Sequence, residues 1–461
     1  MTVPLTGREQ LKAEDFVPGF TSADAIKNLL AGGVKNQTRL RIGGSMARGD
    51  VQVDIAAERV AARHLAILAM TGGGKTVAAR RVLRELISIG YPILIFDPHG
   101  DYLGLWEKQS LFPKTDVKLF YPHIVMTDEN RRIVDILISK MTEGLTEPQQ
   151  ELLNWLLTTI QPKAGQPVLD FIRTLIIVAE RIRAKKDPGV GKGDGAEINI
   201  GASTANAVRR SLKLVEERLQ KMEVSNDRLR KVLKGLQFEA LPDPDGRPEA
   251  IVRPWQVSIL YLGGYDHLTQ STIVSVVMES LFGHRAELAD RIAPFLTVVE
   301  EAQNFVPSAR EGTEETPSLS TLRKVITEGR KFGVGLILIT QRPSRVDETI
   351  LAQCNSFLVM RLVNPKDQTY VRSVMENLPE SDARMLPGFG PGQGIISGQA
   401  VRFPLLVKID YDQDLVGTRT ADEDFIKRAR EWKPDAGAPG RARAAEAAAR
   451  LAMKPSRVKS K

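Results

Sequence analysis

Residues 63–76 read RHLAILAMTGGGKT, and the fold is decided there. HLAILAM (64–70) is a continuous apolar run, the pattern of a strand buried on both faces of a parallel sheet. Glycines 72–74 break the run. From Val77 to Ile89 apolar residues then recur at helical spacing, and Gly90 ends the pattern. YPILIFD (91–97) supplies a second buried strand, so the stretch predicts a strand–loop–helix–strand unit of the α/β class.

The segment 69–76, AMTGGGKT, fits the phosphate-loop template G-x-x-x-x-G-K-[ST] at every position but the first, where Ala69 replaces glycine. Consecutive glycines let the backbone turn its N–H groups inward around a phosphate, and the start of the following helix adds a favourable dipole. Thr71, Gly72, Gly73, Gly74, Lys75, Thr76 and Val77 are therefore the expected nucleotide-binding residues. Lys75 would neutralise the β- and γ-phosphates of ATP, and the Thr76 hydroxyl would face Mg²⁺.

A metal-holding acid and a water-activating base should end another buried strand. PFLTVVEEAQ (294–303) offers Glu300 for Mg²⁺ and Glu301 for the attacking water, although adjacent glutamates can exchange these roles. Gln341, after the strand VGLILIT (334–340), reads as a γ-phosphate sensor or as a cap for the next helix. Asp97-Pro-His-Gly-Asp101 reads as a rigid turn lining the site. Arg63 stands at the far end of the strand that carries the loop, roughly 23 Å away at about 3.3 Å per residue. It is either a surface charge or a finger inserted into a neighbouring subunit, and Arg330 faces the same choice.

Further strands are read at 256–262, 294–300, 356–362 and 392–397, with helices at 268–289, 318–332, 347–353 and 366–377. A mostly parallel sheet with helices on both faces follows. Residues 1–58 form a short β-containing start, with strands at 38–42 and 51–55. The core comprises 59–101 and 255–410, and 102–254 is a mainly helical insertion. Within that insertion, GVGKGDG (189–195) imitates a phosphate loop, but no apolar strand leads into it. Residues 411–461 are a C-terminal segment with a basic, partly disordered tail.

The chain has 461 residues and a net charge of +8. From Lys433 onward it carries eight basic and two acidic residues, so the tail holds +6 of that charge and the body is nearly balanced. Charge alone therefore does not define a nucleic-acid surface. No apolar run reaches the roughly 20 residues of a membrane span, and the start lacks a secretory layout, which predicts a cytoplasmic protein. The single cysteine, Cys354, excludes an internal disulfide framework and reads as a small buried residue.

RHLAILAMTGGGKT, FDPHGDY, VVEEAQNF, ITQRPSRVDETILAQCNSFLVMRLVNPKDQ and LPGFGPGQGIISG, in that order between about residues 39 and 410, resemble the HerA family of the HerA–FtsK group of DNA-translocating ATPases. The resemblance implies a RecA-like P-loop core and a homohexameric ring that pumps double-stranded DNA, with ATP and Mg²⁺ bound at subunit interfaces. It makes Glu301 the catalytic base, Gln341 the sensor, and Arg63 and Arg330 arginines donated by the adjacent protomer. It also suggests DNA end processing or repair with a NurA-like nuclease. Two departures stand out: the N-terminal β element is a reduced barrel, and Gln303 stands where relatives often have His. Competing expectations are an anti-phage defence scaffold with a nuclease or NAD-consuming effector, and a DNA packaging or transfer motor. The polar loops 186–203 and 306–320 are candidate DNA contacts.

Overall fold

The computed structural model describes residues 38–120, 138–140, 142, 144–163, 166–184, 201–235, 248–286, 291–308, 316–375, 378, 380–415 and 429–431. The decoy loop 189–195, residues 186–200 and 309–315 of the two polar loops, residues 1–37 and the tail from Lys433 lie outside these. Contacts separate Met1–Leu415 from Val416–Lys461, and every element named below belongs to the first unit.

Among the described residues, eleven strands make one sheet. In chain order they are β1 (Arg39–Ser45), β2 (Gln52–Ala56), β3 (Leu65–Leu68), β4 (Ile93–Asp97), β5 (Asp116–Phe120), β6 (Gln256–Tyr261), β7 (Phe295–Val299), β8 (Val334–Thr340), β9 (Ser356–Met360), β10 (Gln393–Gly398) and β11 (Leu405–Ile409). Across the sheet the order is β2-β1-β11-β10-β9-β3-β8-β7-β4-β6-β5. From β9 to β5 every neighbouring pair is parallel. From β9 to β2 every pair is antiparallel. The class is α/β with a mostly parallel sheet, as the sequence predicts.

The parallel strands are buried because they are apolar on both faces. In β3, Ala66 and Leu68 enter one core while Leu65 and Ile67 enter the other. The first core is closed by the helices His267–Ala286 and Pro317–Phe332 and runs on into Glu147–Thr159, Val168–Arg183 and Ala202–Gly235. The second is closed by Ala57–Arg63 and Lys75–Ser88. Truncating a fully buried residue such as Ile67 to alanine would cost about 2–5 kcal/mol.

Two strands escape the sequence pattern. β5 (DVKLF) lies inside the segment read as mainly helical and forms the last strand beside β6. β11 (LLVKI) pairs with both β10 and β1. The N-terminal hairpin forms where expected, with a bulge between Arg41 and Gly43. Through β11 it extends the central sheet. A side chain at Gly43 would meet the Lys408 carbonyl oxygen at 2.0 Å, so this approach requires glycine. Cys354 is buried as expected, and burial pushes its thiol well above the usual range.

Because β3, β4, β7 and β8 are mutually parallel, their carboxyl ends share one edge of the sheet. Ligands of open α/β sheets bind outside that edge.

Candidate functional site

The phosphate loop leaves β3 at this edge. Met70 donates its N–H to the Arg361 carbonyl at 2.8 Å, and Ala69 donates to that of Thr340 at 3.2 Å, so both flanking strand ends hold the loop. Ala69, the one mismatch to the template, is fully buried and has no positive φ, so its conformation does not demand glycine. Gly72 and Gly74 do adopt left-handed φ values of 77° and 102°. At Gly74 a side chain would also meet the Gly392 nitrogen at 2.9 Å. At Gly72 it would meet nothing within 4 Å, so that residue faces open space.

The helix Lys75–Ser88 starts on Gly74, which has no side chain to cap the first N–H groups. Uncapped N–H groups at a glycine-lined helix start suit a phosphate, which would accept those hydrogen bonds and meet the positive end of the dipole. Arg81 anchors the helix by donating to the Arg41 carbonyl at 2.8 Å and to Asp412 at 3.1 Å. Gly392 donates to the Gly73 carbonyl at 3.2 Å and accepts from Ile409 N–H at 2.8 Å, bracing the loop from behind. The motif LPGFGPGQG thus buttresses the phosphate loop, a role its sequence did not reveal.

The two glutamates separate. Glu301 has φ of 51°, unusual for a non-glycine residue, and its carbonyl closes a tight turn by accepting from Asn304 N–H at 2.9 Å. This turn sends its carboxylate towards the loop, where Lys75 Nζ lies 3.5 Å from Oε1. Glu300 points inward and is 1% exposed, accepting from the Tyr102 hydroxyl at 2.9 Å. Burial pushes its carboxyl up to about 8, reinforced by Asp101 and Glu301 and opposed by Lys75 and the Tyr102 hydrogen bond. Tyr102 is in turn pushed well above the usual phenol range by burial and by Glu300.

Tyr102 is positioned by Asp97. The Asp97 carboxylate accepts from the backbone N–H groups of His99 (3.3 Å), Gly100 (2.7 Å), Asp101 (3.0 Å) and Tyr102 (2.9 Å). Complete burial nevertheless raises Asp97 to about 6. The FDPHGDY segment is a tight turn whose last residue reaches Glu300. Sequence reading found the turn and missed the tyrosine, since 198 residues separate the bonded pair.

Gln341 lies beside the loop, its Oε1 accepting from the Thr71 hydroxyl. Arg63 and Arg330 are not brought to this edge. Arg63 ends the helix that precedes β3 and donates to Gln399. Its pKa is lowered by burial and by the charges of Arg330 and Arg59, which places these arginines together at the amino edge.

The region 40–281, more than half of the chain, matches the family model described as the central domain of helicase HerA. The chain belongs to the HerA family. Among curated HerA proteins, it is 26% identical over 418 residues to the DNA double-strand break repair helicase HerA of Pyrococcus furiosus, covering 82% of this chain and 70% of that protein. It is 29% identical over 406 residues to the protein of the same name from Sulfurisphaera tokodaii, covering 85% and 72%. Among solved structures, VirB4 of Thermoanaerobacter pseudethanolicus superposes with a TM-score of 0.54 at 15% identity, covering 84% of this chain and all of that one. The plasmid coupling protein TrwB in complex with ADP and Mg²⁺ gives 0.52 at 14%, covering 85% and 97%. These two share the fold. The HerA-family chain is thus an enzyme of the P-loop ATPase and helicase type. Among the described residues no helix is long and apolar enough to cross a membrane.

Proposed function

We propose that this chain is an ATP-driven motor moving along double-stranded DNA, assembled as a cytoplasmic homohexamer with ATP hydrolysed at the subunit interfaces. The observation that carries the reading is the meeting of Lys75 and Glu301 at 3.5 Å at the mouth of the uncapped helix. Relatives named as DNA double-strand break repair helicases supply the substrate class, and end processing beside a nuclease of NurA type is the context that fits them.

The residues divide the work as follows. Thr71 to Val77 wrap the phosphates, and Lys75 neutralises the β- and γ-oxygens. As those oxygens take the ammonium, Glu301 is released from it and is free to polarise water as the general base. Gln341, tied to Thr71, orients against the γ-phosphate. Thr76 and Glu300 are the residues that would hold Mg²⁺, which when bound offsets the developing charge on the phosphate oxygens. A nearby cation restores the ionised form of a carboxyl raised by burial, so the high pKa of Glu300 is compatible with this role. Arg63 and Arg330, remote from their own loop, serve the transferring phosphate of the adjacent protomer.

The test is ATP hydrolysis with and without linear duplex DNA. Strong stimulation by duplex ends supports a motor. Hydrolysis indifferent to DNA at every length and end structure would remove the DNA reading.

A further inference from the structure

Gln303 is a residue whose side chain joins two strand tips. Its Nε2 donates to Glu301 Oε2 at 2.6 Å. Its Oε1 accepts from the Thr340 hydroxyl, also at 2.6 Å. Thr340 Oγ1 accepts in turn from Arg342 N–H at 3.1 Å. A carboxylate can only accept, so the amide must present its NH₂ to Glu301 and its oxygen to Thr340. That leaves the threonine proton pointing at Gln303 and its lone pair facing Arg342. All three bonds run one way, from the backbone after β8 to the carboxylate after β7.

The chain of bonds has a firm base. Thr340 is fully buried and ends β8. The segment after it is pinned by Asp367, which accepts from Ser344 N–H at 3.0 Å and from its hydroxyl at 2.6 Å. The loops after β7 and β8 also zip together, with Ser308 N–H donating to the Arg345 carbonyl at 2.8 Å and Asp347 N–H to that of Val306 at 2.9 Å. Gln341, next to Thr340, bonds Thr71 of the phosphate loop. The two ends of Glu301 are therefore held differently. Oε1 faces Lys75, a partner that phosphate would take away, and Oε2 faces Gln303, which phosphate would leave in place.

We propose that Gln303 is a positioning residue. It holds the Glu301 carboxylate at the water-activating position once Lys75 has turned to the nucleotide, and it links that position to the β8 tip that carries Gln341. It acts through Glu301 and touches no phosphate. The proposal rests on Glu301 being the base, and it requires a residue that can both donate to a carboxylate and accept from a hydroxyl. Histidine meets the same requirement through its two ring nitrogens, in the tautomer that donates towards Glu301.

Steady-state ATP hydrolysis, with and without linear duplex DNA, would be measured for wild type and for Gln303→Leu, Gln303→His, Thr340→Val and Gln303→Leu/Thr340→Val, each checked for folding by calorimetry. A displaced base loses turnover while ground-state binding of nucleotide is kept. Gln303→Leu should lower kcat by about 10- to 100-fold with KM for ATP changed less than about twofold. Gln303→His should recover most of the loss. Thr340→Val should lower kcat less, and the double variant should be no slower than Gln303→Leu alone, because the two act in one chain. Additive losses, a His variant as slow as Leu, or a loss confined to KM would each overturn the proposal. Wild-type hydrolysis unaffected by DNA would sink the DNA reading alone, and Gln303 would be judged on the basal rates. If Glu301→Gln hydrolyses like wild type, the base assignment and this proposal fall together.

Discussion

The two edges of the sheet are built on opposite principles. At the carboxyl edge, the acidic side chains have partners within the chain. Lys75 faces Glu301, Gln303 faces Glu301, and Tyr102 faces Glu300. At the amino edge, burial and, less strongly, the charges of Arg330 and Arg59 lower the pKa of Arg63. The first edge is arranged around the glycine loop of its own chain. The second gathers arginines, the charge that the proposed contact with a neighbour's nucleotide would need.

The largest effect should come from the edge farthest from the nucleotide. Arg63→Ala is expected to lower kcat by roughly 10³-fold, the scale of a lost arginine finger, while each protomer still binds nucleotide normally. Titration with a fluorescent ATP analogue alongside turnover checks both halves, and an Arg63→Ala variant with wild-type turnover breaks the comparison. Next comes Glu301→Gln, expected to lose about 10²-fold or more in hydrolysis with nucleotide still bound. Tighter ATP retention in this variant would sharpen the view that Lys75 leaves Glu301 for phosphate.

The residues of the candidate site were legible to different degrees. The phosphate loop, the paired glutamates and Gln341 were found because each follows a short apolar strand, a local pattern. β8 was read to the residue at 334–340, and it is buried at every position. β5 and β11 were not found, because their partly exposed patterns carry a weaker period. The contacts that tune the site were invisible for another reason. Tyr102–Glu300 and Gln303–Thr340 join residues 198 and 37 positions apart, and only the strand order brings them together. Gln303 was noticed as a departure from relatives, without a sign of what it touches.

Smaller effects follow at the loop itself. Gly74→Ala combines a left-handed φ of 102° with a close approach to Gly392. Strain of about 1–3 kcal/mol is expected to weaken nucleotide binding by roughly 5- to 150-fold, measurable by calorimetric titration. Unchanged affinity would mean that the loop reshapes on binding.

The smallest effect concerns Glu300. Its carboxyl ordinarily titrates near 4.5 but is raised to about 8 in the fold, chiefly by burial. Below the ordinary value both folded and unfolded chains hold the proton, so this contribution to stability is fully present. As pH rises towards about 8 the unfolded chain loses the proton first, and stability falls across that window. In nucleotide-free protein without Mg²⁺, Glu300→Gln should flatten that fall, a difference of roughly 2–4 °C in Tm between the ends of the window. A parallel pH profile for the two proteins would show that Glu300 is not the group responsible.

The most direct test of the central claim mixes two inactive variants. Glu301→Gln and Arg63→Ala would be assayed for ATP hydrolysis separately and after co-assembly in equal amounts with duplex DNA. If one protomer's arginine serves the next protomer's glutamate, mixed rings contain some interfaces with both groups intact, and activity rises well above the mean of the separate variants. A mixture that hydrolyses ATP only at that mean would contradict shared sites and leave Arg63 as a charge serving its own chain.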